Sequence, residues 1–307
     1  MNSPFKRYIV FLFNRVFILY VVFALLVLSG VIQLDKIILH MRNTTLNRRM
    51  PSYQYLIRFH EGEMEFEKER FEEQVHYFKK VAQYFPDRGD VYGFLAYSSY
   101  YLGKESDALK FSEKAAQLDP GFFWFQYNRG LMHYKKGDDA KAAEILKSVL
   151  QFKIEHSLQY MFSSKLYVPF VVYIEGFQSK VVPRFEQGYA DACLILTASL
   201  LRSKNYQELF QYAGIALSAK LEPQWVYFYF LGVASYESGK FPEAVAFMQK
   251  SITLKPDNPK AFEIMGESLK KIGQVKLVEQ LLQKASGMEK ESASIDRLIE
   301  QMRLRLF

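Results

Sequence analysis

The sequence holds a single cysteine in 307 residues, and that scarcity excludes several kinds of protein. Cys193 alone makes no internal disulfide and no paired Cys-x-x-Cys zinc module, and it does not follow a leader as a lipoprotein's lipid-bearing cysteine would. It stands within the apolar stretch Ala192 to Leu201, where a lone thiol reads as a small buried hydrophobe. The five histidines, His40, His60, His76, His133 and His156, show no His-Glu-x-x-His pairing, and each reads as an ordinary helix residue. A Gly-x-Gly-x-x-Gly turn, a P-loop and a Gly-x-Ser-x-Gly elbow are all missing. Acidic residues do cluster at Glu61, Glu63, Glu65, Glu67 and Glu69, alternating with Met64, Phe66 and Lys68. No nucleophile or metal-ligand set accompanies them, so they read as the wet side of a helix. Neither catalysis nor a cofactor nor a metal is expected.

Charge imbalance is missing from most of the chain as well. The first fifty residues hold seven of the 40 basic side chains and one of the 33 acidic ones, so the remainder is close to neutral. The sequence pI near 9.1 therefore does not argue for nucleic acid, which needs a basic stripe on the folded surface. It argues for anionic headgroups on either side of an apolar run. Val16 to Leu34 carries no charge, and its only polar side chains are Tyr20, Ser29 and Gln33. As a helix at about 1.5 Å per residue it would be about 28 Å long, close to the hydrocarbon thickness of a bilayer. A single transmembrane helix is the expectation. The alternative, a cleaved leader, has Lys6, Arg7 and Arg15 in its favour; the length of the run and the lack of an Ala-x-Ala site count against it. Lys36, Arg42, Arg48 and Arg49 follow the run and nearly cancel the positive-inside bias. The short basic leader points to a cytoplasmic N-terminus, with the rest of the chain on the non-cytoplasmic side.

What the sequence has in abundance is self-similarity. Leu95-Ala96, Gly103, Ala108, Ala115 and Pro120 recur as Leu231-Gly232, Gly239, Ala244, Ser251 and Pro256, and again as Met265-Gly266, Gly273, Val278 and Ala285. Tyr127-Asn128-Arg129-Gly130 with Gly137-Asp138 and Ala142 gives another unit. Gly62, Phe71, Phe78, Val81 and Pro86 give an early one, and Tyr206, Glu208 and Ala216 a late one. A period of about 34 residues with this spacing describes helix pairs that bury their apolar faces by stacking on one another. The pattern resembles the tetratricopeptide repeat family. The resemblance implies an α-solenoid in which the small residue lets the two helices of a unit cross closely, the glycine ends the first helix in a left-handed turn, and the proline closes the second.

In that family the first helices line a concave side that binds extended peptides or partner helices. Tyr97, Tyr100 and Tyr101 share one helix face, and Tyr127 with Tyr134 and Tyr229 with Tyr236 repeat that face a heptad apart. These seven tyrosines are the candidate partner-binding groove, since a phenol offers large apolar area and a hydroxyl together. The other reading is that they pack one unit against the next. Relatives that bind acidic chaperone tails place Lys and Asn on this face; here Gly93 and Tyr97 stand at the matching points, which sets that ligand class aside.

From His156 to Tyr189 no unit aligns. The run Tyr167-Val168-Pro169-Phe170-Val171-Val172-Tyr173-Ile174 contains Pro169 and is followed by Pro183, and proline inside such a run argues against a continuous helix. The segment reads as a degenerate repeat that fills the core, or as a flap over the groove. After the last unit, Ser292 or Ser294 can cap a helix with Ile295, Leu298, Ile299 and Met302 on one side, ending in the apolar tail Leu304-Arg305-Leu306-Phe307. The expected organisation is a basic tail (1–15), a transmembrane helix (16–34), a juxtamembrane linker (35–52), an all-α solenoid (53–288) with a non-consensus insert (156–189), and a capping helix (289–307). The implied function is a single-pass, membrane-anchored scaffold or adaptor that binds a protein or peptide. A regulatory or assembly subunit of a membrane enzyme or translocation complex is the alternative.

Overall fold

The computed structural model describes residues 54–164, 166–167, 177–274, 278–286 and 295–306. The chain divides into two compact units, Met1–Tyr55 and Leu56–Phe307. The expected basic tail, transmembrane helix and juxtamembrane linker lie outside the described residues. Among the described residues, no helix is long and apolar enough to cross a membrane.

All described regular structure is helical, in fourteen helices. Three pairs come first: α1 (Gln54–His60) with α2 (Lys68–Tyr84), α3 (Gly89–Tyr101) with α4 (Glu105–Leu118), and α5 (Phe123–Lys136) with α6 (Asp139–Val149). A single helix follows, α7 (Ile154–Ser163). Three more pairs come next: α8 (Phe177–Arg202) with α9 (Tyr206–Ser218), α10 (Gln224–Glu237) with α11 (Phe241–Leu254), and α12 (Pro259–Lys271) with α13 (Val278–Ser286). A short last helix, α14 (Ile295–Glu300), ends the series. Consecutive paired helices pack on one another from α2 to α6 and from α8 to α13, and α8 also packs on α5 and α6, which carries the stack across α7.

The turn inside each pair explains the recurring glycines. Gly62, Gly103, Gly137, Gly239 and Gly273 all have φ between +70° and +84°, a region that costs a residue with a Cβ. Behind each of the last four, a backbone N–H reaches five residues back across the turn: Lys104 to Ser99, Asp138 to His133, Lys240 to Ser235, and Gln274 to Leu269, at 2.8–2.9 Å. The pair α8–α9 closes in the same way, Asn205 to Leu200 at 2.9 Å, but through Lys204 at φ +57°. The close crossing is visible at Gly232, where a Cβ would stand 2.7 Å from Cε of Met248 in the companion helix.

First and second helices differ in what they bury. Along α4 only Ala108, Ser112, Ala115 and Ala116 are buried, a single stripe. Along α5 nearly every residue from Phe123 to Tyr134 is buried, so this helix is covered on more than the two faces that its own pair and the next require. The additional cover comes from two segments outside the pairs. One is the insert, which folds back onto the starts of α3 and α5. Ser157 Oγ accepts the N–H of Phe123 at 3.1 Å, Tyr160 donates to Asp119 at 2.7 Å, and Ser164 donates to Asp90 at 2.5 Å. Tyr167, fully buried, lays its ring near Phe94 and Phe122. Residues 168–176, with most of the sequence's candidate flap, lie outside the described residues. From Phe177 the chain is already helical, and α8 runs through Pro183. Its first half reaches back over earlier pairs, where Arg184 makes a two-point ion pair with Glu61 at 2.6 and 2.8 Å and Phe185 packs on Phe123 and Trp124.

The second covering segment is the C-terminus. Sequence reasoning expects a helix over 289–307 that caps the end of the solenoid. The described helix covers only Ile295–Glu300, and residues 302–306 are extended and lie on α3, α5 and α8.

A candidate peptide groove on the first helices

The extended tail is held mainly by its backbone. The side-chain amide of Asn128, on α5, accepts the N–H of Arg305 at 2.8 Å and donates to its C=O at 2.7 Å. Tyr167 donates to the C=O of Leu306 at 3.0 Å, Tyr100 of α3 reaches the C=O of Met302 at 3.5 Å, and Lys135 donates to the C=O of Glu300 at 3.2 Å. Side chains alternate as an extended strand requires. Leu304 and Leu306 are each 1% exposed, whereas Arg303 just before them is exposed. Arg305 instead pairs with Asp191 of α8 at 3.0 Å, with its guanidinium 5.9 Å from the Trp124 ring.

Asp191 is the charged anchor of this site. It is buried, and its carboxylate also accepts from Gln187 at 2.8 Å and from Tyr127 at 3.5 Å. Burial first, then the Asp191 charge, pushes the Tyr127 hydroxyl far above the usual phenol range, so it stays a neutral donor. On the opposite wall burial first, and then Arg303, hold the Lys135 ammonium below its ordinary value.

The seven candidate tyrosines are divided among different surroundings. Tyr100 and Tyr101, half-buried, stand beside the tail, and Arg303 lies close enough to act on both hydroxyls. Tyr127 donates to Asp191, and Arg305 of the tail lies close enough to act on its hydroxyl. Tyr97 is fully buried, with its hydroxyl 3.2 Å from Nδ1 of His60 and its ring against Tyr101. Tyr134 and Tyr229 come together in a cavity of ≈ 160 Å³ with Arg202, Asn258, Lys260 and Ile295, and Arg202 lies 3.8 Å above the Tyr134 ring. Tyr236 is apart from the others, half-buried against Phe241 of the companion helix. Among the described residues, no group of three or more His, Cys, Asp or Glu is placed to hold a metal ion.

Residues 227–258, covering most of α10 and α11 and the turn after them, match the tetratricopeptide repeat profile. This segment carries the tetratricopeptide repeat pattern. A curated relative, a TPR repeat-containing protein of Methanocaldococcus jannaschii, is 40% identical over 53 residues, which are 17% of this chain and 9% of that protein. The chain thus matches less than a tenth of that relative's length. Solved structures with similar folds include MamA from Desulfovibrio magneticus, 15% identical, with a TM-score of 0.47 over 72% of this chain and 98% of that one. YrrB, described as a TPR protein with an unusual peptide-binding site, is 15% identical with a TM-score of 0.48 over 73% of this chain and 98% of that one.

The groove residues that sequence reasoning missed are Trp124, Asn128, Lys135, Tyr167 and Asp191. Asn128 was in view only as part of the tetratricopeptide spacing. The signal that could have found it is chemical: an amide on a first-helix face is a donor and an acceptor at once, the requirement for gripping a peptide group pair.

Proposed function

We propose that this chain is a protein–protein interaction scaffold, anchored in a membrane through residues 16–34, that binds extended segments of partner proteins on the face made by its first helices. One observation carries the reading: this face already holds an extended peptide, residues 302–306, through the two-way Asn128 amide. Recognition of backbone by side chains, with pockets for alternate residues, is the arrangement of peptide-binding grooves in general. The apolar length of 16–34 and its basic flanks support the anchor. No step of bond making or breaking is assigned to the chain.

The test combines fractionation with photo-crosslinking. The intact chain should remain in the membrane pellet after carbonate washing, and a benzophenone side chain placed at Tyr100 or Lys135 should join it to a second protein. Release into the carbonate supernatant removes the anchor. Crosslinks confined to the chain itself remove the scaffold.

A further inference from the structure

The tail in the groove also records what the groove recognises, and this inference rests on the scaffold reading above. Four requirements can be read from it. The occupant is extended, because one amide meets both backbone groups of a single residue only where those groups point the same way. It carries two leucine-sized apolar side chains two positions apart, matching the burial of Leu304 and Leu306. It carries a cation between them, because Arg305 enters beside the Asp191 carboxylate. It presents a carbonyl to Tyr167 one residue after the clamp.

The cation requirement is the most selective. Without Arg305, the described partners of Asp191 are Gln187 and Tyr127, both neutral donors, and a buried carboxylate without a cation is strongly disfavoured. Departure of the tail is therefore uphill unless an incoming residue restores the positive charge. An acidic or neutral segment cannot do this. A leucine–basic–leucine segment can.

The tail gains as a ligand from being attached. A tethered segment competes at an effective concentration in the millimolar range. We propose that Met302–Leu306 is an internal, displaceable occupant, and that the groove between α3, α5 and α8 takes a partner's extended leucine–basic–leucine segment in its place.

The experiment uses a fluorescein-labelled peptide with the sequence of residues 302–307, Met-Arg-Leu-Arg-Leu-Phe, and fluorescence anisotropy with the protein in detergent micelles. Two proteins are compared, the full chain and a chain ending at Gln301. Binding to the shortened chain should be at least about tenfold tighter, since the tethered competitor is gone. Asn128→Ala or Asp191→Asn in the shortened chain should each weaken it by at least about tenfold. So should alanine at the peptide's second arginine. Equal binding to both chains, or no binding to a shortened chain whose helical circular dichroism is unchanged, overturns the proposal. Should the shortened chain fail to fold, Arg305→Glu in the full chain takes its place, because a carboxylate opposite Asp191 loosens the tail without removing its leucines. That variant should gain peptide binding over the unsubstituted chain, and no gain overturns the proposal.

The two readings fail separately. A crosslinked partner whose capture survives Asp191→Asn leaves the scaffold standing and removes the groove as its site. Tight peptide binding with no crosslinked partner does the reverse.

Discussion

Asn128 does with one side chain what a neighbouring strand does with two peptide groups, and its cost of removal falls on binding more than on folding. Buried tyrosines are the opposite case. Tyr97→Ala or Tyr127→Ala removes a fully buried ring and should cost about 3–5 kcal/mol, read as a lower urea midpoint. Tyr236→Ala, at a half-buried position, should cost under about 1 kcal/mol. The heptad spacing that groups these residues in the sequence gives their face but not their depth. Depth is set here by the insert and the tail, which come from segments that follow no repeat. Cys193 matched its sequence reading, and burial pushes its thiol up to about 12. Folded chains therefore keep this proton to high pH, whereas unfolded chains lose it above about 8.5. In that window the unfolded state binds fewer protons, so stability falls as pH rises, by about 1.4 kcal/mol per pH unit from this group. Urea midpoints measured from about pH 8.5 to 10 should fall less steeply for Cys193→Ala than for the unsubstituted chain.

At the level of elements, the helix pairs were legible wherever a glycine marks the turn. The pair α8–α9 was the faintest because Lys204 stands where the others have glycine, yet the backbone makes the same left-handed turn. Lys204→Gly should therefore relieve strain and raise stability by about 0.5–1 kcal/mol, while Gly239→Ala should lower it by about 1 kcal/mol. Both are readable as shifts of melting temperature. Pro183 lies within α8, so proline does not break the helix at that point. Nothing local announces that helix, whose early residues find their partners in Glu61, Phe123 and Trp124, far back in the sequence. The tail was legible as apolar and not as extended, because a hydrophobic pattern carries no information about which distant amide will meet the backbone.

For the whole molecule, the all-α solenoid followed from the repeat period, whereas the groove's occupant required a contact between residues 128 and 305. That contact has a consequence for how the chain comes apart. Stacked repeats that touch only their neighbours melt piecewise, since each interface stands or falls nearly alone. Here Ile295 lines a cavity with residues of α5, α8, α10 and α12, and residues 302–306 then bind α3, α5 and α8. The C-terminal segment thus ties early repeats to late ones and shares their fate among them. Thermal unfolding of the full chain should be a single transition, with far-ultraviolet circular dichroism and tryptophan fluorescence superimposing. Arg305→Glu should split or broaden it, with the pairs on either side of α8 melting at different temperatures, so that the last few residues set whether the array behaves as one body or as a row of separate ones.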